Sequence, residues 1–151
     1  MNSGNRPADL LDKTLAVAVR DVATVSAEGV PLTRLTHGVT VRRLITHSDF
    51  RGSVTELFDL RWREYGDPLV FSYSFTIRPG MAKGWSLHRS HQDRYALVQG
   101  EMDLILFDPR LDSPTCVEVC RIALSEYNRC LVNVPENVWH TDYNIGTRDA
   151  V

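Results

Sequence analysis

The sequence lacks long hydrophobic runs and a clear excess of either charge. No apolar stretch approaches the roughly 18–20 residues that a membrane-spanning helix needs, so we expect no membrane span. Seventeen basic residues nearly balance 19 acidic ones, whereas a nucleic-acid or membrane-surface binder would show a basic excess. The chain does not open on a basic segment followed by an apolar one, as a secretory signal would. The sequence therefore predicts a cytoplasmic protein without nucleic-acid or membrane partners.

Cysteine and lysine are scarce as well. The three cysteines, Cys116, Cys120 and Cys130, are an odd number and lack the second Cys/His pair of a zinc ribbon. We therefore expect buried, reduced thiols. Lysine occurs only at Lys13 and Lys83 among the 17 basic residues, which draws attention to Lys83 beside a glycine in mid-chain.

The length of 151 residues and the hydrophobic fraction of 43% suit one globular domain with a sizeable core. Near the N-terminus the apolar positions follow a helical stripe, and Pro7 and Asp9 are helix start signals. This pattern predicts a helix over about 9–24. We expect an N-terminal extension over residues 1–30 and a β domain over residues 31–151.

After residue 30 the period changes to short runs rich in β-branched and aromatic residues, separated by turn signals. These runs are 39–45, 53–58, 69–77, 95–99, 102–108, 116–124 and 130–134. Their spacing predicts a single antiparallel all-β barrel over 39–146, with the helix packed outside it. Residues 149–151 resemble the start of another strand, so we expect the natural domain to continue or the missing strand to be supplied in another way.

Three of the five histidines stand in a pattern. The first segment reads Gly84-x-Ser86-x-His88-x4-Asp93-x6-Gly100, with His91 inside it. The second segment reads Pro135-x-Asn137-x2-His140-x3-Asn144. The other two histidines, His37 and His47, are predicted to lie in surface loops.

These two segments resemble the two motifs of the cupin superfamily, whose members are small double-sheet barrels. A closer resemblance is to the dTDP-4-dehydrorhamnose 3,5-epimerase family. It rests on the segments 49–58, 83–85, 100–110, 113–115 and 135–140, in the family's order. The resemblance implies a double-stranded β-helix (jelly-roll) barrel and a homodimer in which a strand from one subunit completes the other's sheet. It also implies that no metal or other cofactor is needed.

The family inverts carbons next to the ketone of a dTDP-4-keto-6-deoxysugar, which requires a base of near-neutral pKa and a partner for the enolate oxygen. In this chain Ser86 stands where the family has its base and Asp93 where it has an enolate-stabilising lysine. His88, two residues beyond Ser86, is the candidate displaced base. The predicted catalytic residues are thus His140, which the resemblance implies, and His88, which its position two residues beyond Ser86 suggests. The resemblance implies Arg51, Glu56 and Lys83 as substrate-binding residues, and we expect Ser86 and Asp93, at the two positions that depart from the family, to bind substrate as well.

The residues leave two other functions open. His88, His91 or Asp93, and His140 could hold Fe, Mn, Ni or Zn for an oxygenase or isomerase reaction, because nitrogen and oxygen ligands suit these metals. Alternatively, the chain is a non-catalytic cupin that binds a small molecule. Arg110, in the Asp-x-Arg motif, is predicted to form a structural or dimer ion pair.

Overall fold

The computed structural model describes residues 8–19, 21–62 and 68–151. Two compact units make up the chain, Met1–Thr33 and Arg34–Val151. Within the described residues, no helix has the length and apolarity to cross a membrane.

In the first unit, the helix α1 spans Ala8–Val17 and ends earlier than the predicted residue 24. The sequence turns β-branched at this point, which lowers helix propensity. Beyond the helix, the Asp21 side chain accepts a hydrogen bond from the Val22 amide at 2.9 Å, a local bond that competes with helix formation. That this helix packs against the barrel stays a prediction.

The second unit is built from antiparallel strands, which confirms the predicted all-β class. The strands are β1 Thr40–Arg43, β2 Thr46–Asp49, β3 Gly52–Thr55, β4 Ala82–Ser86, β5 Asp93–Ala96, β6 Glu101–Phe107, β7 Val119–Ser125, β8 Cys130–Val134 and β9 Trp139–Asn144. They form a four-stranded sheet of order β4-β9-β6-β7, a three-stranded sheet of order β1-β8-β5, and the hairpin β2-β3.

The predicted strand over 69–77 is wrong for this chain taken alone. Its one pairing among the described residues is an isolated bridge between Ile77 and Ala150. Val70 and Phe71 are 88% and 74% exposed, although their alternation is typical of a strand. A strand requires a partner for its backbone groups, and the partners found for this segment among the described residues are that bridge and the Asn144 side chain, which donates to the Ile77 carbonyl.

The sequence did not predict three of the strands, which are β2, β4 and β9. His47 lies in β2 rather than in a loop, although it is exposed as expected. The strands β4 and β9 carry Lys83, Ser86 and His140, and polar residues at these positions hide the apolar alternation that identifies a strand.

The main core lies between the two larger sheets. Its fully buried side chains include Ile77, Leu104, Leu106, Val132 and Val138. A second, smaller cluster forms where Phe58 and Trp62 pack against Leu44 and Leu131. Strand β8 contributes to both clusters, because Leu131 and Val132 point to opposite faces.

The motif Asp108-x-Arg110 forms a buried network with Ser113 and Thr115, here called the Asp108 network. The Asp108 carboxylate accepts hydrogen bonds from Arg110 Nε at 2.7 Å and from the hydroxyls of Ser113 and Thr115, both at 2.6 Å. Arg110 also donates to the His37 carbonyl at 2.6 Å. Arg110 therefore forms a structural ion pair within the chain, as predicted.

Candidate active site

Pairing between β4 and β9 brings the two motif segments together. Ser86 lies opposite His140, and Lys83 lies opposite Asp142. The strands approach closely at Gly84, where an added Cβ would lie 2.8 Å from the Thr141 Cα. Since Gly84 also has a φ of +125°, a side chain there would strain the backbone as well as clash. This contact explains why glycine follows Lys83.

Three histidines surround one carboxylate, and we call His88, His91, Asp93 and His140 the Asp93 cluster. The Asp93 oxygens lie 3.0 Å from His88 Nε2, 3.2 Å from His140 Nε2 and 3.6 Å from His91 Nε2. The ring centroids of His88 and His91 are 4.2 Å apart, and those of His88 and His140 are 5.4 Å apart. The structure thus unites both predicted catalytic residues with Asp93.

The loop that carries His88 is held by the second motif. The Asn137 amide donates a hydrogen bond to the His88 carbonyl at 2.7 Å. Asn137 has a φ of 61°, a left-handed conformation that asparagine tolerates better than most residues. This explains why asparagine can replace the glycine of the cupin pattern.

His140 and His88 differ in their access to solvent. The His140 side chain is 3% exposed, and its Nδ1 lies 3.1 Å from the Val138 carbonyl, to which it donates. Its Nε2 faces Asp93 without an aligned hydrogen bond. The His88 side chain is 32% exposed. His88 is therefore the member of this pair that a ligand can reach.

Opposing effects set the ionisation of the cluster. Burial disfavours the ionised form of Asp93, but the contact with His140 and the charges of the three histidines outweigh it and lower the pKa of Asp93. Burial likewise disfavours the charged form of His140, but Asp93 and the Val138 carbonyl outweigh it and raise the pKa of His140. These shifts favour a protonated His140 beside an ionised Asp93.

Asp142 is a buried acid of this site that the motif analysis missed. It lies two residues beyond His140 on β9, so the two side chains share the inward face. Burial raises the pKa of Asp142 to about 7; the charge of His140 opposes this shift and that of Asp93 adds to it. The available signal was the strand alternation itself, had β9 been identified as a strand.

The remaining predicted site residues lie on two elements. Lys83 is exposed on β4 and Ser86 ends that strand half-buried. Arg51 lies in the turn of the β2-β3 hairpin, where its guanidinium donates to Asp49 at 2.5 Å. Glu56 follows β3 and is exposed. The contacts described for Arg51 are thus within its own hairpin, so the structure does not unite Arg51 and Glu56 with the Asp93 cluster.

This arrangement can transfer a proton. A histidine whose one ring nitrogen faces a carboxylate has a fixed tautomer, and its other nitrogen is available as a base. Three imidazoles and a carboxylate are also a possible ligand set for a transition metal.

Two known proteins are similar to this chain over most of its length. A probable low-salt glycan biosynthesis epimerase of Haloferax volcanii is 35% identical over 117 residues, which are 76% of this chain and 74% of that protein. A spore coat polysaccharide biosynthesis protein of Bacillus subtilis is 32% identical over 105 residues, which are 68% of each. A scan against protein-family models finds no match.

Solved structures share the fold. A dTDP sugar isomerase from Desulfovibrio desulfuricans has a TM-score of 0.66 and 24% identity, covering 76% of this chain and 73% of that one. A dTDP-4-dehydrorhamnose 3,5-epimerase from Elizabethkingia anophelis has a TM-score of 0.67 and 17% identity, covering 79% and 68%. These similarities confirm the predicted double-stranded β-helix fold.

Proposed function

Since this chain belongs to the dTDP-4-dehydrorhamnose 3,5-epimerase-like family of the cupin superfamily, we propose that it is a sugar-nucleotide epimerase. Its substrate is a dTDP-4-keto-6-deoxysugar, and it inverts a carbon next to the ketone. The observation that carries this proposal is the contact of 3.0 Å between His88 Nε2 and Asp93 in a partly exposed site. The names of the similar proteins, an epimerase and a dTDP sugar isomerase, support the substrate class.

In the proposed reaction His88 is the base. With the proton of its ring on Nε2, which faces Asp93 at 3.0 Å, the neutral ring has its lone pair on Nδ1. Nδ1 takes the proton from the carbon next to the ketone; the electron pair of that C–H bond forms a double bond to C4, and the carbonyl π pair moves to the C4 oxygen as an enolate. Asp93 stabilises the resulting imidazolium. A proton from solvent then adds to the opposite face of the carbon, and the His88 imidazolium releases its proton to solvent, which completes the inversion and regenerates the base.

The diphosphate of the substrate is negatively charged and needs basic side chains to bind it. Arg51 and Lys83 are the proposed contacts of the diphosphate, because guanidinium and ammonium groups form charge-assisted hydrogen bonds with phosphate oxygens. Glu56 is a proposed nucleotide contact and Ser86, opposite His140 on β4, a proposed sugar contact.

The protein acts as a cytoplasmic homodimer in this proposal. In the segment 69–77, which pairs only through the Ile77 bridge among the described residues, Val70, Phe71 and Tyr73 are 88%, 74% and 67% exposed. Such a segment is suited to add a strand to the sheet of a second copy. The strands β1 and β5 form the edges of the three-stranded sheet and offer backbone groups for this pairing. Analytical ultracentrifugation of the chain and of the Phe71→Asp variant tests this step; a monomeric parent would contradict it.

Solvent exchange tests the proposed activity. The metal-free protein in deuterium oxide should replace hydrogen next to the ketone of the sugar nucleotide, and proton NMR should record the loss of that signal. His88→Asn should slow this exchange by about 10²–10⁴-fold, the usual contribution of a general base. His37→Asn, a change at an exposed histidine bound to the structure through its backbone, is the matched control and should leave the rate unchanged.

Two results would contradict the proposal. Exchange that persists in His88→Asn would assign the base to another residue. An absence of exchange over hours, with dTDP binding seen by calorimetry, would favour a non-catalytic binding protein.

A further inference from the structure

The inward face of β9 carries a buried acid, Asp142, whose bonding is incomplete. Asp142 is 4% exposed, and its Oδ1 is buried without a hydrogen-bond partner among the described residues. We propose that Asp142 binds a hydroxyl group on C2 or C3 of the substrate's sugar ring and so determines which sugars the site accepts. This inference rests on the proposed function, because it takes the ligand to be a sugar nucleotide.

A buried carboxylate oxygen without a donor is unusual. Such an atom loses its hydrogen bonds to water on folding and gains none in return. Two other buried acids of the β domain show the usual outcome. Asp103 accepts a hydrogen bond from Arg121 Nε at 2.6 Å, and Asp108 accepts one from Arg110 Nε at 2.7 Å. Asp142 Oδ1 differs from both, and a bound ligand can supply the donor that the chain does not.

The neighbours of Asp142 do not satisfy Oδ1. Lys83 lies opposite Asp142 on β4, but that lysine is exposed and donates no hydrogen bond to Oδ1. Burial, followed by the charge of Asp142, raises the pKa of the nearby Tyr95 hydroxyl, yet that hydroxyl does not donate to Oδ1. Leu104, opposite Asp142 on β6, is fully buried and apolar. Oδ1 therefore remains available to a ligand.

Asp142 lies beside the groups that carry the proposed chemistry. It follows His140 by two residues on the same face of β9, which corresponds to roughly 6–7 Å along a strand. The ring centroids of His140 and His88 are 5.4 Å apart. A hexose ring with its hydroxyl groups spans a comparable distance. A sugar whose reacting carbon lies at His88 can therefore place a hydroxyl of another carbon at Asp142.

The charges of the site favour the sugar over the diphosphate at this position. Asp93 and Asp142 are acids of the inward face and repel a diphosphate, whereas Lys83 is exposed on the edge strand β4 and attracts it. The uncharged sugar is thus the part of the substrate that suits Asp142. A hydroxyl group fits either charge state of this acid, because it donates to a carboxylate and can also accept from a neutral carboxyl group.

Specificity follows from the cost of an unsatisfied acid. A site that binds a substrate hydroxyl discriminates against an analogue without it, because the buried polar group is then left unpaired. We therefore expect Asp142 to exclude sugars that are deoxygenated at the contacted carbon.

Calorimetry with unreactive sugar nucleotides tests the contact directly. dTDP-6-deoxyglucose has no ketone and cannot be epimerised by this route, and its 2-deoxy and 3-deoxy analogues each lack one hydroxyl. One of these analogues should bind the parent protein about tenfold to a hundredfold more weakly, the range for a hydrogen bond to a charged group. In Asp142→Leu the same analogue should bind as tightly as dTDP-6-deoxyglucose.

Matched variants separate the contact from a loss of structure. Asp142→Asn keeps the size and one acceptor oxygen, so it should retain part of the preference that Asp142→Leu loses. Tyr143→Phe changes the next residue of β9, which is 39% exposed and points to the opposite face, and it should leave the preference unchanged. Circular dichroism checks the fold of each variant, and Asp142→Asn carries the comparison if Asp142→Leu does not fold.

The inference and the epimerase activity fail in different ways. Equal affinity of the parent protein for all three sugar nucleotides, or an unchanged preference in Asp142→Leu, would overturn the hydroxyl contact even if deuterium exchange occurs. The expected preference in a protein that never exchanges deuterium would support the contact and overturn the epimerase proposal. Absence of any sugar-nucleotide binding would overturn both.

Discussion

Two carboxylates of the β domain, Asp93 and Asp108, differ in the groups that surround them. Asp108 is fully buried and accepts hydrogen bonds from a guanidinium, two hydroxyls and an amide. These donors keep their protons at every physiological pH. Asp93 instead faces the ring nitrogens of three imidazoles, each of which can be a donor or an acceptor. The same acid thus has a structural role beside fixed donors and is suited to chemistry beside titratable ones.

The largest expected effect is on the chemistry of the Asp93 cluster. Asp93→Asn removes the negative charge that orients His88 and stabilises its imidazolium. We expect deuterium exchange to fall on the order of 10²–10⁴-fold, with a much smaller change in the free energy of unfolding than Asp108→Asn produces. Exchange by NMR and urea denaturation of both variants measure the contrast, and equal effects of the two variants on stability would break it.

The next effect is on stability. Asp108→Asn leaves the half-buried Arg110 guanidinium without its carboxylate. Loss of one partner of such an ion pair should lower the free energy of unfolding by about 3 kcal/mol. Glu118→Gln is the matched control, because its pair with Arg34 is exposed, and it should cost no more than about 1 kcal/mol. A loss below 1 kcal/mol in Asp108→Asn would show that the network is not structural.

These contrasts also separate what the sequence can predict from what it cannot. The strands β6 and β8 are apolar runs whose position follows from the sequence alone, and the Asp108 motif marks a rigid turn. The predicted strand over 69–77 fails within one chain because pairing depends on a partner, which local pattern does not contain.

The site was predicted only in part for a related reason. His88, Asp93 and His140 stand out by spacing, so their proximity could be expected. The role of Asp142 could not be expected, because it depends on burial on β9. The polar residues of that strand obscure the apolar alternation by which a strand is identified. The role of His91 beside Asp93 likewise depends on the path of a loop.

Binding offers a smaller effect. Arg51 lies outside both carboxylate clusters and is proposed to hold the nucleotide, so Arg51→Ala should weaken dTDP binding by roughly 1.5–3 kcal/mol, the range for hydrogen bonds to charged groups. Calorimetry measures the affinity, and exchange at saturating substrate should be less affected than in Asp93→Asn. An unchanged affinity would limit Arg51 to its pair with Asp49.

The smallest effect concerns Asp142 and pH. Its pKa of about 7 when folded lies above the usual 3.8, so the folded state holds this proton more tightly than the unfolded state. Its contribution to stability is therefore complete below pH 4 and is lost as the pH rises through 7. Between pH 6 and pH 8 this loss should be about 1 kcal/mol. Asp142→Asn should remove that part of the slope in urea denaturation with a chelator present; an unchanged slope would assign it to other groups.

The central claim is that His88 and Asp93 act as one proton-transfer unit. A double-mutant cycle on deuterium exchange, comparing His88→Asn, Asp93→Asn and the double variant in metal-free protein, tests it most directly. Residues that act as a unit are strongly non-additive, so the double variant should be no slower than the slower single variant. Losses that multiply in the double variant would show that the two residues act independently and would contradict the account.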